Sequence, residues 1–220
     1  MGDWDLTRRG TVHILTMADD QNRIGQALLA SWEEALDEVE SAETPRALVT
    51  TGVDRFWSTG LDLDEVTGMS ERERFSFMNR LDLLLGRILT APFITVAALN
   101  GHTIAGGALL ALAHDFRIMR EDRGFMSLPS VDIGIPFTPG MSALIIAKVP
   151  QPAAHDLVVS CRQIGAQEAA KLGILHDLVP VDEVLPSAVD LATSLANKDP
   201  ETLRTVKRRL YPEAASMLTP

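Results

Sequence analysis

The chain has 220 residues, 46% apolar and 23% charged, which is ordinary for a globular protein and long enough for one substantial core. Its formal charge of −10 argues against a general nucleic-acid binder, which needs a basic surface to neutralise phosphates. The single cysteine, Cys161, excludes an internal disulfide framework and any cysteine-rich metal site.

Acids occupy the start, Met1-Gly2-Asp3-Trp4-Asp5, where a signal peptide needs a basic region followed by an apolar run. No stretch approaches the roughly 18 uninterrupted apolar residues of a membrane span, so a cytoplasmic protein without a membrane partner is expected. Thr11 to Met17 and Arg46 to Thr51 read as strands from their β-branched content. Between them, Gly25 to Ser41 places apolar residues at 28, 29, 32, 35, 36 and 39, the spacing of an amphipathic helix. Strand, helix and strand of this length make a crossover unit within one sheet. Residues 71 to 90 repeat the helical pattern up to Pro92, and Phe93 to Leu99 is a near-continuous apolar run typical of a strand buried on both faces. A helix over 106 to 113 and a strand over His114 to Met119 follow. Beyond Pro139 the chain reads as helical, over 140–148, 151–160, 166–172, 182–197 and 200–210. No internal repeat is visible. The division expected is an α/β core over 1–138 and a helical region over 139–220.

Two glycine-bearing loops stand out: Phe56-Trp57-Ser58-Thr59-Gly60-Leu61-Asp62-Leu63 and Asn100-Gly101-His102-Thr103-Ile104-Ala105-Gly106-Gly107-Ala108. Each follows a strand-like run and opens a helix, a place where free backbone N–H groups can receive a negative oxygen. The second loop resembles the enoyl-CoA hydratase/isomerase (crotonase) superfamily, as do Val131-Asp132-Ile133-Gly134-Ile135-Pro136, Ala169 to Leu175 and Lys207 to Glu213. Ala97 to Met119, with its Asn-Gly-His and Ala-His-Asp elements, is most similar to the Δ3,Δ2-enoyl-CoA isomerase branch.

The resemblance implies a crotonase-like α/β spiral of repeated ββα units and an acyl-CoA thioester substrate. Coenzyme A would then be part of the substrate, and no separate cofactor or metal is implied. It further implies that the N–H groups of Leu61 and Gly106 stabilise an enolate-like oxygen, and that Ser58, Thr59 and Gly60 line the path of the CoA. A homotrimer or a dimer of trimers is the family habit. Lys207, in a final helix that also carries Arg204, Arg208 and Arg209, would meet CoA phosphates, which accept charge-assisted bonds. The alternative for that helix is a solvated basic face.

The chain departs from the pattern where proton transfer belongs. The two glutamates of the family's hydratases are replaced by Leu109 and Ser130. An unassisted serine hydroxyl has a pKa far from that of a base able to take a proton α to a thioester. In an extended segment Asp132 would share a face with Ser130, about 6 to 7 Å away, as either a substitute base or a turn cap. Asp62 reads as a helix-start residue, with Asp64 and Glu65 on a solvated face. His102 reads as packed and hydrogen-bonded, and no spacing suggests a metal site or a serine–histidine–acid triad. A non-catalytic CoA-thioester binder that has lost its base is the competing expectation.

Overall fold

The structure is a computed structural model that describes residues 4–219. Its long sheet has six strands in the order Trp4–Arg9, Val12–Met17, Ala47–Gly52, Ile94–Leu99, Phe116–Arg120 and Asp177–Val179. The first pair is antiparallel and every later pair parallel. A parallel neighbour requires a crossover, and the helices Gln26–Ser41, Glu71–Leu89 and Gly106–Ala113 supply three of them. Ile94–Leu99, apolar at most positions, is buried along its whole length because helices cover both its faces.

Each turn of the chain also inserts a short strand before its helix. Arg23–Ile24 precedes Gln26–Ser41, and Gly60–Leu61 precedes Leu63–Gly68. His102–Ile104 precedes Gly106–Ala113, and Phe125–Ser127 precedes Ser130–Ile133. The short strands pair among themselves: Arg23–Ile24 with Gly60–Leu61, and Phe56–Ser58 with His102–Ile104 and then Phe125–Ser127, in parallel. This is the spiral of ββα units that the resemblance implies. The repeat is invisible in the sequence because backbone pairing defines it, and the side chains differ from turn to turn.

Three boundaries differ from the sequence expectation. His114 ends the Gly106–Ala113 helix, so the next strand begins at Phe116. Ser130 and Asp132 lie in the helix Ser130–Ile133, where an extended segment was expected. The last long helix before Pro200 starts at Val184, after a single 3-10 turn over Val181–Glu183. The sequence reading also passed over the edge strand Trp4–Arg9 and the helix Pro212–Leu218. That final helix packs on Pro139–Lys148 and Glu71–Leu89, and Leu144, Ala214 and Leu218 share one apolar core with Leu48, Leu85 and Leu99.

Candidate active site

The first glycine loop is held from inside. Ser58 is fully buried, its Oγ donates to the Asn22 carbonyl at 2.8 Å, and it accepts the Gly60 N–H at 3.2 Å. Gly60 has φ +88°, and a Cβ there would lie 2.8 Å from both the Ala105 Cβ and the Gly106 nitrogen, so only glycine fits. Asp62 N donates to the Ile24 carbonyl at 3.1 Å, and the Asp62 carboxylate caps the next helix by accepting from Glu65 N at 3.1 Å. Amides alternate in direction along a strand, so with Asp62 N turned to the partner strand, Leu61 N faces away from it.

The second loop meets the first there. Ala105 donates to the Ser127 carbonyl at 3.0 Å and holds φ +50°, ψ −118°, a strained conformation for a residue with a Cβ. That turn aims the first amide of the Gly106–Ala113 helix outward. Gly106, as the first helical residue, has no intrahelical acceptor for its N–H. A Cβ on Gly106 would sit 3.5 Å from the Gly60 Cα and 3.6 Å from Leu61 N, which measures how closely the two loops approach.

Both amide-bearing residues open on a cavity of about 170 Å³. Its walls come from Leu61, Leu109, Met78, Phe137 and Met141 among other apolar side chains. Among the described residues, Thr59 and Ser130 contribute its only polar side chains, and no titratable group lines it. Leu109 faces the cavity one turn after Gly106. Ser130 is buried against it, whereas Asp132 is exposed and does not line it. The helix explains the separation, because residues two apart on a helix diverge by about 200° where they would coincide on a strand. Asp132 therefore does not share a face with Ser130.

A carboxyl missed by the sequence reading stands beside the wall. Asp82 follows Leu81 on the Glu71–Leu89 helix, accepts from Thr138 Oγ1 at 2.9 Å, and is held above the usual carboxylate range by burial. Thr138 in turn accepts from Met141 N at 3.1 Å, so Asp82 ties the wall helix to the start of the helix Pro139–Lys148. It lies outside the cavity lining. Its signal in the sequence was an acid on the apolar stripe of an amphipathic helix.

Lys207 belongs to a different place from the one expected. Its side chain is 5% exposed, and its ammonium donates to Asp115 Oδ2 at 2.7 Å and to the Phe93 carbonyl at 2.8 Å. Buried and paired in this way, it is not available to a CoA phosphate in this chain. Asp115 also accepts from Thr95 N and Thr95 Oγ1. Around this pair, Arg117 donates to the carbonyls of His114 and Ile174 at 2.8 and 2.7 Å. The Lys148 ammonium lies 4.3 Å from the Tyr211 ring centroid, and burial with the nearby Arg117 charge lowers its pKa to about 7. His114 is fully buried between Thr50 Oγ1 and the Leu110 carbonyl, and burial lowers its pKa to about 4. Gly60 and Ser58 stay buried as the frame of the first loop, and Thr59 is the member of the three that reaches the cavity.

The model of the enoyl-CoA hydratase/isomerase family matches residues 7–219. The chain belongs to that family. It is 36% identical over 225 residues to enoyl-CoA delta isomerase 3 of Arabidopsis thaliana, covering 97% of this chain and 94% of that one. It is 33% identical to a putative enoyl-CoA hydratase of Thermus thermophilus, with 92% and 81% covered. An enoyl-CoA isomerase structure from Mycobacterium tuberculosis superposes with a TM-score of 0.91 at 22% identity, covering 98% and 94%, which shows the shared fold. Relatives named as isomerases and hydratases make this chain a member of an enzyme family.

Proposed function

We propose that this protein acts on an enoyl-CoA thioester, of the isomerase/hydratase type, by holding the thioester oxygen between the N–H groups of Leu61 and Gly106. The observation that carries the reading is the meeting of two amide-bearing loops at the mouth of an apolar cavity. Amide dipoles fixed before the reaction stabilise developing enolate charge, and they act more strongly where water is excluded. The acyl chain occupies the cavity, with Leu109 and Ser130 in the positions of the family's glutamates. Ser130 there can hold a substrate oxygen or a water through its hydroxyl, and it supplies no base of its own.

Assembly into trimers, as in the sequence expectation, would cover apolar side chains such as Leu210, which is 64% exposed. The absence of any titratable group among the described residues that line the cavity favours one second reading, a member that binds enoyl-CoA thioesters without turning them over.

Absorbance of the conjugated thioester, followed with a 3-enoyl-CoA and with a 2-enoyl-CoA, separates the two. Slow turnover of either substrate by the wild type supports catalysis, and tight binding without turnover supports the second reading. In Ser130→Glu, activity rises by about 10² to 10⁴, the usual contribution of a placed general base. A folded Ser130→Glu variant that binds CoA thioester and gains nothing would show that position 130 does not face the reacting carbon.

A further inference from the structure

A second recess lies at the opposite end of the short sheet from the acyl cavity. Phe56, His102 and Phe125 are the first residues of three neighbouring parallel strands. Those strands lead directly into Thr59, Ala105 and Pro129 at the cavity. Three residues of strand span about 10 Å, so one end of the sheet serves the thioester site and the other end this recess.

The recess measures about 670 Å³ and is lined by Arg55, Arg120, Arg123, His102 and Asp54 over a glycine floor. Gly124 adopts φ +114° and a Cβ there would meet Met119 Cε at 3.0 Å, while a Cβ on Gly101 would run into the Arg55 carbonyl. The floor therefore carries no side chains, and the loops bearing the arginines close up around it. Arg120 is fixed: it donates to both carboxylate oxygens of Asp122 at 2.7 and 2.8 Å and to the Asn100 carbonyl at 3.1 Å. Arg55 and Arg123 are exposed and form no ion pair among the described residues, and Arg55 rests 5.3 Å over the Phe56 ring.

His102 is wedged between the rings of Phe56 and Phe125, at 5.4 and 4.3 Å, and its buried Nδ1 has no hydrogen-bond partner. The sequence expectation of a hydrogen-bonded histidine therefore fails at that atom. Burial and then the charges of Arg55, Arg120 and Arg123 hold its pKa below the ordinary histidine value. The same three guanidinium groups line the recess that the His102 ring lines. On a chain of net charge −10, such a concentration of cations over one carboxylate of the lining, Asp54, runs against the general balance.

We propose that this recess is a binding site for a phosphate-type oxyanion, gripped by Arg55 and Arg123 beside the fixed Arg120, and separate from the acyl-CoA site. Guanidinium forks match the paired oxygens of a phosphate, and two free forks at a shared recess leave oxygens for both. The charged groups lining the recess with His102 are Asp54 and Arg55, just before the first glycine loop, Arg120 at the end of its strand, and Arg123 in the turn before Phe125, with Asp122 paired to Arg120. Three guanidinium groups against two carboxylates leave a net charge of +1 beside the ring, and a bound dianion reverses its sign.

The test follows the His102 imidazole signals by NMR in the full-length protein during titration with inorganic phosphate, with chloride at matched ionic strength as the control. The expected result is a saturable shift with phosphate and a rise in the His102 titration midpoint. In Arg55→Gln/Arg123→Gln, apparent phosphate affinity falls at least tenfold while acyl-CoA binding and the circular dichroism spectrum stay as in the wild type. Phosphate and chloride acting alike, or equal affinity in the double variant, would overturn the proposal. Displacement of phosphate by saturating CoA would assign the recess to a phosphate of CoA itself and would overturn its separateness.

Discussion

The acyl cavity and the buried cluster around Asp115 handle polarity in opposite ways. The cavity is walled by apolar side chains, and among the described residues it offers backbone amides and two hydroxyls. The cluster packs Lys207, Asp115, Arg117, Lys148 and His114 into the interior, with carbonyls answering the cations. In this cluster the buried side-chain charge belongs to the scaffold, where it ties the helix Pro200–Leu210 to the long sheet, whereas the proposed oxyanion site would rely on dipoles that cannot ionise. An uncharged wall has a chemical consequence: with little water or counter-charge nearby, two amides at the mouth carry most of the field that an enolate would feel.

The largest effect expected from disturbing this contrast is at the ion pair. Asp115→Ala leaves the Lys207 ammonium buried without its partner, and should lower stability by about 3–5 kcal/mol in urea denaturation. A loss below about 1 kcal/mol would place the pair in the class of surface salt bridges.

Next comes the backbone device. Gly106→Ala puts a methyl group 3.6 Å from Leu61 N and 3.1 Å from Ile24 Cδ1, in the space assigned to the oxygen. On whichever enoyl-CoA the wild type turns over, kcat/KM should fall by about 10²–10³, the loss typical of removing one such donor. Near-wild-type kinetics would move the oxygen elsewhere.

A smaller effect is the slope of stability against pH. Lys148 titrates near 7 when folded against 10.5 as its ordinary value, so across that window the unfolded chain binds more protons than the folded one. Stability should therefore rise with pH from about 7 upward, and Lys148→Met should remove that limb. His114 and His176 are both lowered to about 4, so stability is also lost as pH falls from 6.5 towards 4. Stability decreasing from pH 7 to 9 in the wild type would contradict the burial of Lys148. The smallest effect is none at all: Asp132→Asn, exposed and outside the cavity, should leave turnover unchanged.

Much of this was legible in the chain. The Ile94–Leu99 strand announces itself because burial on both faces favours a nearly continuous apolar run, and Gly60 because close approach leaves no room for a Cβ. The helix at Ser130–Ile133 was not legible, since four residues are too few to show a helical period, and the face of Asp132 was misjudged with it. Lys207 was misread for a physical reason too. A lysine in a row of cations looks solvated, and it is Asp115, just before the strand Phe116–Arg120 and distant in sequence, that draws it inside. The short strands escaped because two or three residues carry no alternation, yet their pairing is what brings Leu61 and Gly106 together.

The contact at the centre of the proposed reaction is the thioester oxygen between two amides. Difference infrared spectroscopy of a bound enoyl-CoA labelled with ¹³C at the thioester carbonyl reads that contact directly. The prediction is a carbonyl stretch moved to lower frequency on binding, with most of the shift lost in Gly106→Ala. A bound carbonyl at its aqueous frequency, unchanged by the substitution, would contradict the claim that these loops hold the oxygen.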